Sequence, residues 1–329
     1  MEQLSTQTQI DLLAAMLAIR AFENRISSVY PQQEMKTPVH LYTGQEACAA
    51  GVCANLERED MIFSTHRNHG HYIAKGADLN AIAAELYGRT GGCTKGKGGS
   101  MHFVDTASGC MGTTAIVGGS IPLGAGAALA LKMRKSSNIS VSFFGDGAAD
   151  EGVLQETLNF AALKKLPVLF VCENNFYATN SCVRARHAHG SIAARAQAFG
   201  IPAETADGND AETVYRAARK AAAHIRAGNG PYFLELLTYR WKGHVGPDCD
   251  YEKGCRPKAE LDEWMKRCPI ELYAARLAAR GVISQAGLDE MKKAAEARVD
   301  RAWSYALASP APGPEDLLTD VYRAAGESA

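Results

Sequence analysis

Two short polar segments each close an apolar run. Gly145-Asp146-Gly147 follows Ile139-Ser140-Val141-Ser142-Phe143-Phe144. Asn174-Asn175 follows Val168-Leu169-Phe170-Val171-Cys172 about 30 residues later. That spacing fits one strand–helix–strand crossover, which brings both segments to the carboxyl edge of a parallel sheet, where ligands bind. Asp146 offers a hard oxygen ligand for Mg²⁺ or Ca²⁺, and Asn175 can face the same cation. Magnesium keeps few protein ligands and prefers phosphate oxygens. Two side chains plus one backbone carbonyl therefore leave room for a diphosphate. Glycine on each side of Asp146 lets the backbone approach a bulky anion. Either segment alone reads as an ordinary turn or strand end; the pair at crossover spacing points to a metal-bound diphosphate. Asp150 and Glu151 open the following helix, where acids suit the helix dipole.

The elements that position these residues follow from periodicity. Leu4 to Val29 has a helical repeat, with Leu12, Leu13, Met16, Ile19 and Ile26 on one face. Thr43-Gly44-Gln45-Glu46 fits a capping box opening a helix to about Leu56. Leu79–Tyr87, Glu151–Leu163, Ile192–Phe199 and Thr213–Ala227 also read as helices, and Tyr232–Leu237 as a third strand. Gly88 to Gly126 is dense in glycine and reads as loop, with Lys95 and Lys97 open between a functional role and a solvated turn. Gly243 to Pro257 reads as a long mobile loop, and the pattern from Lys258 onward is helical, clearest over Ser284–Ala306. Strands alternating with helices imply an α/β fold, a parallel sheet with helices on both faces. We expect a single domain over 1–329, with a helical arm at about 1–35 and a helical region at about 258–329.

Composition narrows the classes. A net charge of -1 gives no support for nucleic acid or an acidic membrane surface. No apolar run approaches the roughly 20 residues of a membrane helix, and the polar start lacks a signal-peptide pattern. A soluble, cytoplasmic protein is the expectation. Nine cysteines with no CxxC pair favour small buried thiols over a disulfide framework or structural zinc. His66, His69 and His71 lie close together, but their glycine-rich surroundings fit an active-site loop better than a zinc cluster.

Longer motifs make the reading specific. Gly145 to Tyr177 resembles the thiamine diphosphate fingerprint. Further motifs are His40-Leu41-Tyr42-Thr43-Gly44-Gln45-Glu46-Ala47, His66-Arg67-Asn68-His69-Gly70 and Gly91 to His102. Ile116-Val117-Gly118 and Tyr239-Arg240-Trp241-Lys242-Gly243-His244 complete the set. Over roughly Leu12 to Pro310 the chain resembles the alpha subunit of the decarboxylating component of 2-oxoacid dehydrogenase complexes, in its pyruvate and acetoin dehydrogenase branch.

The resemblance implies a thiamine diphosphate-binding fold and roles for individual residues. Asp146, Asn175 and the carbonyl of Tyr177 would hold Mg²⁺. Gly145, Gly147 and Ala148 would bring backbone to the diphosphate, and Arg67 and Arg240 would pair with its oxygens. Val117 would sit by the aminopyrimidine, with His66 beside the cofactor. His40 and His244 would stand near the reactive carbon, where they would orient substrate, stabilise charge or move protons. In this family the glutamate that activates the cofactor comes from a second chain. A beta subunit is therefore implied, in an α2β2 heterotetramer, with a lipoyl acyltransferase as acyl acceptor. The implied reaction is oxidative decarboxylation of a small 2-oxoacid, most plausibly pyruvate. Acetoin cleavage or carboligation is an alternative, and a non-catalytic cofactor-binding regulatory subunit another; His40 and His244 argue against the latter.

The chain departs from the pyruvate enzymes at three places. His66 stands where they usually carry tyrosine and Lys242 where they usually carry histidine. Val245-Gly246-Pro247-Asp248 replaces the serine-bearing segment of phosphorylated relatives, and no Ser or Thr occurs from Tyr239 to Ile283. These changes bear on substrate choice more than on the cofactor.

Overall fold

The computed structural model of the chain describes residues 3–35, 37–188 and 190–320. Six parallel strands form the central sheet: β1 (Met61–Ser64), β2 (Cys110–Thr113), β3 (Ser140–Gly145), β4 (Val168–Asn174), β7 (Ala203–Asp207) and β8 (Tyr232–Leu237). Two more, β5 (Tyr177–Ala178) and β6 (Ser181–Cys182), make a small antiparallel hairpin. The sheet order is β2-β1-β3-β4-β8-β7. In chain order the helices are α1 (Thr6–Val29), α2 (Glu46–Cys53), α3 (His69–Lys75), α4 (Leu79–Leu86), α5 (Ser120–Met133) and α6 (Gly152–Lys164). They continue with α7 (Val183–Arg186), α8 (Ala193–Gln197), α9 (Ala211–Arg226), α10 (Lys258–Met265), α11 (Pro269–Ala279) and α12 (Gln285–Ala308). Among the described residues no helix is long and apolar enough to cross a membrane.

Burial explains the sheet. Every residue of β4 is buried, as expected where helices cover both faces. Its side chains alternate: Leu169 and Val171 join Phe143, Val141 and Leu234 in one cluster, while Val168, Phe170 and Cys172 join Phe144 and Phe233 in another. The first cluster is closed by α2, α4, α9 and α12, the second by α5, α6 and α8. The five apolar positions read from α1 are all buried. Ser5 caps that helix by accepting from the Thr8 N–H at 3.1 Å.

Several sequence expectations need correction. The helix at Glu46–Cys53 is shorter than expected and its capping box does not form, since Gln45 is the N-cap with no side-chain cap bond. The Glu46 carboxylate accepts from the Gly44 N–H at 3.1 Å, whereas the Thr43 hydroxyl is buried without a partner. Glu151 is the N-cap of α6, with no side-chain cap bond. The stretch Gly88–Gly126 is not all loop, since it contains β2 and the start of α5. The segment Gly243–Pro257 is held at its centre: Asp250 and Arg256 are buried and paired, and a 3-10 turn spans Asp250–Lys253. All nine cysteines are free, but the expectation of buried thiols holds for five of them, since Cys93, Cys182, Cys249 and Cys255 are only partly buried.

The connections after β1 and β3 leave toward opposite sides of the sheet, because β1 leads to the β2 edge and β3 leads to β4. Such a switch point opens a crevice at the carboxyl ends of the strands.

Candidate cofactor and active site

The crevice holds a cavity of about 300 Å³. It is lined by Thr65, His66 and Arg67 after β1, Thr114 to Gly118 apart from Ala115 after β2, and Gly145 to Ala148 after β3. Asn175 and Tyr177 after β4, with His244 beyond β8, close it. The register of β3 on β4 pairs Gly145 with Glu173, so Asp146 and Asn175 leave the sheet at nearly the same level. Both are buried. Asn175 donates to Gln45 Oε1 at 3.1 Å and accepts weakly from the Tyr177 N–H at 3.4 Å, which fixes the amide orientation. A Cβ on Gly147 would lie 2.7 Å from that of Ala178, so the close packing of the β3 turn on the β5 hairpin requires glycine there.

Of the sequence-predicted residues, His66, Arg67, Val117, Gly145, Asp146, Gly147, Ala148, Asn175, Tyr177 and His244 line the cavity. His40 and Arg240 lie behind the wall. His40 packs edge to face on His66 and His244, at ring separations of 4.6 and 5.1 Å, and His66 lies 5.3 Å from His244. Arg240 is fully buried and donates to the carbonyl of Thr179, a cavity residue; its Nε and Nη1 have no partner. Of the three departures, His66 lines the cavity, while Lys242 and Val245 do not. Lys95 pairs with Asp320 and Lys97 with Thr319 on the surface, outside the cavity.

Three loops carry the histidines, and Arg67 ties them together. Its guanidinium donates to the Leu41 carbonyl at 2.5 Å and the His244 carbonyl at 3.2 Å. The Trp241 N–H donates to Thr43 O at 3.0 Å and the Gly246 N–H to Val39 O at 2.8 Å. Gly44 has φ +99°, and a Cβ there would meet the Trp241 ring and the Tyr239 carbonyl at about 2.5 Å. No other residue fits that crossing.

The electrostatics of the site are unbalanced. Burial and the positive charge of Arg67 pull the three imidazoles down, His40 to about 2, His66 to about 3 and His244 to about 4. All three are neutral at pH 7. Burial also works against the charged forms of Arg67 and Arg240, and each is further opposed by a neighbouring guanidinium. An anion beside them would relieve both effects. Burial raises the Asp146 carboxyl, and Arg186 partly offsets it by pairing with Asp146 and Asp150. The donor set thus fits a metal-bound diphosphate: oxygen ligands at Asp146 and Asn175, and two desolvated guanidiniums, of which Arg240 keeps unpartnered N–H groups.

Sequence reasoning missed Glu173, Gln45, Glu151 and Arg186. Glu173 lines the cavity and accepts from Tyr42 and from His71 Nε2, the latter at 2.9 Å. Its signal was legible: it is the one charged residue in the otherwise apolar run before Asn174. Arg186 left no signal, because its contact spans 40 residues.

Comparison with known proteins agrees with this geometry. Residues 14–315 match the family model described as the dehydrogenase E1 component. The chain is 41% identical over 321 residues to the alpha subunit of acetoin:2,6-dichlorophenolindophenol oxidoreductase from Cupriavidus necator, covering 97% of this chain and 95% of that one. It is 42% identical over 307 residues to the Bacillus subtilis protein of the same name, covering 93% and 91%. It is 37% identical over 320 residues to the pyruvate dehydrogenase E1 component subunit alpha of Rhizobium meliloti, covering 97% and 91%. The chain belongs to the dehydrogenase E1 component family. That family uses thiamine diphosphate.

Proposed function

We propose that this chain is the alpha subunit of a thiamine diphosphate-dependent 2-oxoacid dehydrogenase of the pyruvate type, acting as one cofactor-binding unit over residues 1–329. The observation that carries the reading is the convergence of Asp146, Asn175 and Arg67 with His66 and His244 on one switch-point cavity. Asp146, Asn175 and the Tyr177 carbonyl would hold Mg²⁺, with Gly147, Ala148, Arg67 and Arg240 around the diphosphate and Val117 beside the pyrimidine. The bound cofactor supplies the electron sink for cleaving a bond next to a carbonyl. The protein's own part is to hold neutral imidazoles at the reacting end. Neutral His244 can donate an N–H to a developing oxyanion or accept a proton, and His40 braces it and His66 from behind.

A beta subunit completes the site in this reading, in an α2β2 heterotetramer, with a lipoyl acyltransferase taking the acyl group. Support comes from exposed apolar residues at the cavity rim and along the two helices α5 and α6. Ile116 and Val117 are exposed, and so are Leu123 and Met133 on α5 and Phe160 and Leu163 on α6, helices that pack together. Exposed apolar residues at this density mark an interaction face.

Acetoin cleavage is the second reading. It is favoured by 41–42% identity to the acetoin relatives against 37% to the Rhizobium enzyme, and by His66 in the cavity wall. Both readings are tested by co-expressing the chain with a beta subunit and following dye reduction. Pyruvate, 2-oxobutyrate, branched 2-oxoacids and acetoin are compared, with and without thiamine diphosphate and Mg²⁺. Turnover is expected only with both, and the preferred substrate separates the readings. Failure to bind the cofactor in the presence of Mg²⁺ would sink the proposal.

A further inference from the structure

We propose that His40, His66 and His244 form a second metal site, for one transition-metal dication such as Zn²⁺, whose occupation closes the substrate end of the cavity. Among the described residues these three form the one group of His, Cys, Asp or Glu side chains that can offer three ligand atoms to a single ion. One ring nitrogen from each lies within 4.8 Å of the others. A tetrahedral zinc ion with bonds of about 2.0–2.1 Å needs its ligand nitrogens about 3.4 Å apart. The rings must therefore close by about an ångström, which rotation about the side-chain torsions supplies.

The loops are already held for this. Arg67 bonds the carbonyls of Leu41 and His244, and it follows His66 directly, so one guanidinium fixes all three ligand-bearing segments. The rings are uncommitted. His40 Nδ1 is buried without a partner, and among the described residues no carboxylate lies within ion-pair distance of the three. Arg67 and Arg240 repel a cation. A diphosphate beside them, or a hydroxide as the fourth ligand, offsets that repulsion.

Ligand type separates this site from the one at Asp146. Imidazoles suit Zn²⁺, Co²⁺, Ni²⁺ and Cu²⁺, whereas carboxylate, amide and carbonyl oxygens suit Mg²⁺. Three protein ligands leave a tetrahedral ion one open position. His66 and His244 line the cavity while His40 lies behind them, so that position faces the space where substrate enters. Occupation would make the enzyme sensitive to free zinc and restorable by a chelator. The metal site stands on geometry alone; only its inhibitory consequence rests on the proposed function.

The test uses the full-length chain co-purified with its beta subunit, with Mg²⁺ saturating so that the oxygen ligands are filled. Co²⁺ is titrated as a spectroscopic substitute for Zn²⁺. The expected result is one Co²⁺ per alpha chain with the intense visible bands of tetrahedral coordination, displaced by Zn²⁺. His66→Phe and His40→Asn should each weaken binding at least tenfold, while Asp146→Asn should leave it unchanged. Should His66→Phe fail to fold, judged by its thermal transition, His244→Asn takes its place. Absence of the tetrahedral bands, binding indifferent to the histidine variants, or loss in Asp146→Asn would overturn the proposal. Loss of thiamine diphosphate binding with Co²⁺ binding intact would instead sink the functional reading and spare this one.

Discussion

Two groups of histidines meet in sequence only at His66, His69 and His71, and they do opposite things. His69 and His71 sit on α3 and are fully paired. His69 bonds Glu23 Oε1 at 3.0 Å and Ser100 Oγ at 2.9 Å; His71 bonds Glu173 Oε1 at 2.9 Å and Ser64 Oγ at 2.7 Å. A carboxylate on one nitrogen fixes the tautomer, so the other accepts from a serine hydroxyl. His66, in the turn just before α3, instead meets His40 and His244 with no carboxylate partner. A carboxylate beside an imidazole makes a structural strut. Without one, the ring stays neutral and available to a ligand.

Substitution can break that contrast. The largest effect is expected at the unpaired group, in the α/β complex. His244→Ala should lower kcat by about 10²–10⁴-fold, the usual worth of a positioned acid or base, with little change in melting temperature, and His40→Ala, which removes the ring bracing it, should lower kcat by less. Comparable activity in both variants would remove the catalytic assignment. Next comes the paired group. His69→Ala leaves the Glu23 carboxylate with only the Tyr42 N–H as a bonded partner, and should destabilise the chain by about 3–5 kcal/mol, read by denaturant unfolding. A His40→Ala chain as unstable as His69→Ala would erase the distinction.

A third expectation concerns pH. The three unpaired rings bind protons less readily folded than unfolded, with values of about 2, 3 and 4 against the ordinary 6.5. Between pH 6.5 and about 4 the unfolded chain therefore carries the extra protons, and stability falls as pH drops through that window. Calorimetry from pH 7 to pH 5 should show a melting temperature that declines less in His66→Phe than in the parent; equal slopes would refute the neutral-ring picture. The smallest effect is at Arg186, which pairs with Asp146 in this structure. Arg186→Ala removes that partner and should tighten Mg²⁺ binding severalfold by calorimetric titration, because the metal-free state loses its counter-charge.

The cofactor half of the site was legible because its residues follow long buried strands at crossover spacing. β3, β4 and β8 announce themselves as apolar runs. The rest was hidden for physical reasons. β1 is four residues long and follows the charged run Glu57-Arg58-Glu59-Asp60. β7, Ala203–Asp207, is an edge strand whose Glu204 and Thr205 give no apolar pattern. α5 is disguised by Pro122, Gly124 and Gly126, yet Gly124 is needed because a Cβ there would lie 2.9 Å from that of Ser142 on β3. The histidine trio was hidden because its members come from three loops that only the folded chain brings together.

The switch-point geometry has an evolutionary consequence. The two apolar clusters on the faces of the sheet contain none of His40, His66, Arg67 or His244. Under the proposed function, changes at the cavity-lining His66 and His244 therefore draw on loop packing rather than on the apolar faces of the sheet. A lineage can exchange such loop residues while its stability barely drifts, and new specificities become accessible by single steps rather than by coordinated redesign. The divergence of relatives carrying acetoin and pyruvate names, each at 37–42% identity to this chain, is the outcome such a separation allows.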